Sequence, residues 1–131
     1  MTKNLIRSLF GGIVLFSSFA LLTCTAERDP RSTVEQYCSA YLAERWDVTA
    51  NLGTPRTKSM VFLIRNLRAK FTATELTIYN RQKPKKFLVQ KVAQSANAAD
   101  VQVALDGKNP ENIHLTRESK LWLIDTDKPL W

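Results

Sequence analysis

Apolar residues recur at Val34, Tyr37, Cys38, Tyr41, Leu42 and Trp46. That is the i, i+3, i+4, i+7, i+8 spacing of a helix with one buried face. Glu35, Gln36, Ser39, Glu44 and Arg45 fill the other face. Asp29 can cap the start, and Pro30 suits the first helical position, where no N–H is needed. Ser32 with Glu35 offers a second capping box one turn in. Asn51-Leu52-Gly53-Thr54-Pro55 is a turn signal. Beyond it, Met60, Leu63, Ile64, Leu67 and Phe71 predict a second helix over 57–71, with Arg65, Arg68 and Lys70 mostly off the stripe.

The period then changes from 3.6 to 2. Residues 75–79 alternate through Leu76 and Ile78, 100–106 through Val101, Val103 and Leu105, and 112–117 through Ile113 and Leu115. Residues 87–94 are rich in β-formers. Residues 120–126 place Leu121 and Leu123 on one side and Trp122 and Ile124 on the other. A basic loop with Pro84, then Ser95-Ala96-Asn97, Asp106-Gly107-Lys108-Asn109-Pro110 and Glu118-Ser119, separates these runs. Helices followed by strands predict an α+β fold: N-terminal helices on a curved antiparallel sheet of four to five strands. There is no internal repeat.

Ahead of this stands Leu9–Leu22, fourteen uncharged residues behind Lys3 and Arg7. A membrane span needs about 20 apolar residues, so the run matches the core of a signal peptide. Leu21-Leu22-Thr23-Cys24 resembles the bacterial lipobox, with Thr where Gly, Ala or Ser is usual. That resemblance implies cleavage before Cys24 and its acylation. Thr25, rather than Asp, after the Cys implies the outer membrane if the cell is Gram-negative. The alternatives are cleavage after Ala26 and an uncut N-terminal anchor. The expected organisation is a signal peptide over 1–23, a tether over 24–29 and one domain over 30–131.

The net charge is +7, concentrated in one block. Residues 54–91 hold ten Lys and Arg against Glu75 alone, while the segments on either side are slightly acidic. Close behind an acylated Cys24, the block predicts contact with anionic headgroups, first through Lys83, Lys85 and Lys86. Nucleic acid is not an expected partner, because basic and aromatic residues do not interleave as in a stacking platform. Cys38 lies on the buried face of the first helix and predicts a free, buried thiol. No Cys/His cluster predicts a metal site, and no cofactor is implied.

The first helix "DPRSTVEQYCSAYLAERWD", the middle helix and the closing strand "SKLWLIDTD" resemble the nuclear transport factor 2-like superfamily. More narrowly, they resemble small bacterial lipoproteins that carry this cone-shaped α+β fold. The similarity spans about residues 29–127, with Arg45-Trp46-Asp47 where the family usually has Gly-Asp. It implies a cone whose pocket, if open, is lined by Tyr37, Tyr41 and Trp46. Catalytic members place a carboxylate or His–Asp pair with a Tyr hydroxyl in an apolar cavity. In this chain the single histidine, His114, falls opposite Ile113 and Leu115, and Asp100, Asp106, Asp125 and Asp127 sit at strand ends or turns. No catalytic residues are assigned. The expected function is non-enzymatic binding of a lipid, peptide or protein partner at the membrane surface. A cavity enzyme of the isomerase or dehydratase type, or a secreted binding or inhibitory module, is the alternative.

Overall fold

The computed structural model describes residues 29–131. The expected signal peptide, Cys24 and the expected tether up to Arg28 lie outside the described residues. Among the described residues the fold is α+β, with four helices followed by a four-stranded antiparallel sheet. The helices are α1 (Pro30–Leu42), α2 (Trp46–Asn51), α3 (Pro55–Ala69) and α4 (Ala73–Gln82); the strands are β1 (Phe87–Gln94), β2 (Ala98–Leu105), β3 (Glu111–Glu118) and β4 (Leu121–Ile124). Strand order follows chain order, β1-β2-β3-β4.

Helix α1 begins where the sequence indicates. The Asp29 carboxylate accepts from the Ser32 N–H at 2.7 Å, with Pro30 at the first position. It ends earlier than the apolar spacing suggests, at Leu42. Glu44 turns into the left-handed region (φ 59°), and Arg45 N–H bonds to Ala40 O while Glu44 N–H bonds to Tyr41 O. These are the two bonds of a Schellman stop, with Glu where Gly is usual. Trp46 therefore opens the separate short helix α2.

Residues 75–79 are a correction. They are helical, inside α4, and not a strand. Thr72 caps this helix, its hydroxyl accepting from the Glu75 N–H at 3.2 Å. Leu76 and Tyr79, three apart, are the half-buried pair, and Ile78 is left in solvent. A spacing of two between Leu76 and Ile78 was too short a run to define a period.

Helix α1 lies across β1, β2 and β4. Val34, Tyr37, Cys38 and Tyr41 meet Val101, Val103, Ile113, Leu115 and Ile124 in the core. Trp122 and Ile124 are buried and Leu121 is exposed, as the alternation predicts. One edge of the sheet is sealed: Gly53 bridges Ile124 in parallel, and the Ile124 carbonyl accepts from the Thr54 N–H at 2.8 Å. The opposite edge strand, β1, carries a bulge between Val89 and Lys91. Such irregularity disfavours edge-to-edge pairing with another chain.

Candidate functional site

Tyr37 and Tyr41, one turn apart on α1, both enter the core. Their rings lie 5.9 Å apart, and Trp46 meets Tyr41 edge-on at 5.4 Å. The three aromatics form a continuous ladder but do not share one cavity. Tyr37 lines a cleft of about 80 Å³ with Glu111, Asn112, Thr126, Lys128 and Leu130. Trp46 lines a separate open depression beside Asp47 and Arg65.

The closing segment of the chain forms one wall of the Tyr37 cleft, through Thr126, Lys128, Pro129 and Leu130. Leu130 is buried in the core, and its backbone N–H bonds to the Tyr41 hydroxyl. Burial still pushes that phenol up to about 12. The Tyr37 hydroxyl is buried with no hydrogen-bond partner, and burial raises it further. Both phenols are therefore neutral donors at physiological pH. The Cys38 thiol is free and buried, pushed up to about 12 by desolvation. It is a thiol rather than a thiolate at neutral pH, and so a poor nucleophile.

The basic trio divides. Lys83 Nζ is 3.5 Å from the Glu44 carboxylate, which also meets Arg68 at 2.5 Å. Lys85 and Lys86 are exposed and have no carboxylate partner among the described residues. Asp106 positions them: one carboxylate oxygen accepts both of their backbone N–H groups, each at 3.0 Å. Those two bonds hold the Asp106 carboxyl below the usual range. Neither lysine forms a close ion pair among the described residues, although the Lys86 charge also favours the Asp106 carboxylate.

Two clusters escape sequence reasoning. Glu44 joins the end of α1 to Arg68 on α3 and to Lys83 after α4. Arg68 lies over the Tyr79 ring at 5.1 Å, and Tyr79 packs on Phe71 at 5.5 Å and Trp131 at 4.7 Å. Nothing local in the sequence pairs residues so far apart. On the sheet face away from α1, His114 Nδ1 is 2.9 Å from an Asp100 oxygen, and Asn112 donates to the same oxygen at 3.1 Å. These contacts lower the Asp100 carboxyl. Alternation did place His114 opposite Ile113 and Leu115, but the β2–β3 register that pairs it with Asp100 is not written in either strand alone. Both side chains are about half exposed. Among the described residues no group of three or more His, Cys, Asp or Glu could hold a metal.

No protein-family model, curated protein or solved structure matches the chain.

Proposed function

We propose that this is an exported protein of the bacterial cell envelope, anchored by an acylated Cys24, whose cone-shaped domain binds non-enzymatically at the membrane surface. The observation that carries the reading is the exposed pair Lys85 and Lys86, neither of them in a close ion pair among the described residues. Both project from a backbone fixed by Asp106, in a sequence block of ten cations and one acid; Arg56, Arg65, Arg68 and Lys83 of that block are paired with acids from outside it. Each basic residue near an anionic leaflet contributes about 1 kcal/mol, and the gain falls off within a Debye length. From Cys24 to Asp29 the chain reaches roughly 18 Å at most, so an acylated protein keeps the domain within that range of the lipid.

Binding is favoured over catalysis by the state of the tyrosines. Tyr41 is already bonded to the chain's own backbone, and Leu130 occupies the core beside it. One observation favours an isomerase- or dehydratase-type reading: Glu111 lines the same cleft as the unpartnered Tyr37 hydroxyl. Glu111 is exposed, however, and lacks the apolar surroundings a buried general base requires.

The test is sedimentation of the full chain with vesicles containing phosphatidylglycerol, compared with neutral vesicles at low salt. Replacing Lys85 and Lys86 by Glu is expected to weaken the excess binding to anionic vesicles by about tenfold or more. Equal binding of wild type and variant at low salt contradicts the role of these lysines.

A further inference from the structure

Three large apolar side chains stand in solvent on α3 and α4: Leu63 at 57% exposure, Leu67 at 53% and Ile78 at 48%. Leu63 and Leu67 are one helical turn apart and share one stripe of α3. Lys70 continues that stripe three residues later. Leu63 and Leu67 belong to the stripe expected to be buried, which is covered at Met60, beside Thr57 and Val61, and runs out into solvent at these two residues. On α4, Arg81 follows Ile78 by three residues, and the helix has no fully buried side chain. Tyr79, packed on Phe71 and beneath Arg68, holds α4 against the end of α3. Lys70 and Arg81 are exposed and have no carboxylate partner among the described residues. Glu75 is the only acid on either helix.

We propose that Leu63 and Leu67 of α3 and Ile78 of α4 together form the surface by which the domain lies on an anionic bilayer. Leu63, Leu67 and Ile78 enter the boundary between headgroups and acyl chains, and Lys70 and Arg81 reach the headgroup phosphates. The proposal rests on the membrane-surface reading above and extends it from a charged contact to an inserted one. Apolar side chains flanked by Lys and Arg at helical spacing form the pattern of an interfacial helix. Long cationic side chains can keep their heads at the phosphates while their stems lie along apolar surface. A protein partner would also cover three apolar side chains. The excess of uncompensated cations instead matches a continuous anionic surface.

Chain length supports the same occupant. The uncharged run Leu9–Leu22 ends seven residues before Asp29, a reach of roughly 25 Å at most. Whether Cys24 is acylated or the run is retained, the start of α1 stays within that distance of lipid. Helix α1 is about 20 Å long, and its far end is joined to α3 and α4 through Glu44. The tether therefore allows the α3–α4 face to meet the bilayer.

The experiment places an environment-sensitive nitrobenzoxadiazole label at one position at a time in the full chain, with Cys24→Ala and the buried Cys38 retained. Leu67→Cys and Ile78→Cys test the face. Leu88→Cys and Leu121→Cys, exposed at 63% and 60% on the sheet, are the controls. On vesicles with phosphatidylglycerol, labels at 67 and 78 are expected to shift to the blue. They should also be quenched by a lipid-borne nitroxide, while those at 88 and 121 keep their aqueous emission. Aqueous emission at 67 and 78 from chain that co-sediments with the vesicles overturns the proposal. If Lys85→Glu with Lys86→Glu still weakens binding in that case, the electrostatic reading survives and insertion alone falls. If labels at 67 and 78 report lipid whatever stands at 85 and 86, insertion holds and the lysine pair is dispensable.

Discussion

The hydroxyl of Thr57 ties the first turn of α3 to the end of β4 at Ile124. Its Oγ1 lies 2.9 Å from the Ile124 carbonyl oxygen and accepts the Thr126 N–H at 2.8 Å. Thr57 is fully buried, so removing the hydroxyl takes the partner from the half-buried Thr126 N–H and leaves the Ile124 carbonyl with the Thr54 N–H alone. Thr57→Val keeps the shape of the side chain and is expected to cost about 1–3 kcal/mol. The urea midpoint, with an unchanged denaturant slope, is the readout.

Gly53 sits against the same latch for a steric reason. A Cβ at this position would lie 2.5 Å from Thr57 Cγ2 and 2.7 Å from Thr57 Cβ, with the Ile124 carbonyl at 3.3 Å. The obstructing atoms belong to a β-branched side chain held by hydrogen bonds, so they cannot swing aside cheaply. Gly53→Ala is expected to destabilise by about 1–3 kcal/mol. Combining it with Thr57→Ser, which removes the clashing methyl and retains the hydroxyl, should recover part of that loss in thermal denaturation.

A further prediction concerns acid. The Arg56 guanidinium, with Nε 2.6 Å from Asp125, holds that carboxyl below the ordinary range, as do the contacts made by Asp100. A carboxyl lowered by folding binds more protons in the unfolded chain. Its stabilisation is therefore present above the unfolded value near 3.9 and is lost as pH falls through the lower folded value. Asp125→Asn is expected to lower the urea midpoint at pH 7. The gap from wild type should narrow as pH falls through the lowered range of the folded carboxyl, where the wild-type group also becomes neutral.

Much of this architecture is legible in the sequence because the core strands alternate cleanly. Val101, Val103 and Leu105, then Ile113 and Leu115, indicate both the strands and their buried face. What escaped notice has physical reasons. The stop of α1 lacks the glycine that usually announces it, since Glu44 occupies the left-handed position. Helix α4 has no buried stripe, so its hydrophobic pattern carries no period, and only the Thr72–Glu75 cap signals it. Of the site residues, Tyr37 and Tyr41 stand on the inner face of α1 as read from their spacing. Lys83 differs from Lys85 and Lys86 because its partner, Glu44, lies far away in sequence.

Glu44 yields a prediction about dynamics. A non-glycine residue at φ 59° carries backbone strain of about 1–2 kcal/mol, and its carboxylate bridges Arg68 and Lys83. Glu44→Gly relieves the strain while cutting the bridge. Global stability should change by less than about 1 kcal/mol. The amides of α4, which has no fully buried side chain, should exchange with deuterium several-fold faster. Unchanged α4 protection would show that Tyr79 alone holds the helix.

The membrane-bound reading turns on Cys24, and the intact mass of the mature protein, expressed with and without Cys24→Ala, tests it most directly. The account predicts a mass starting at residue 24 with added acyl chains, absent from the variant. An unmodified mass starting at Glu27 contradicts it.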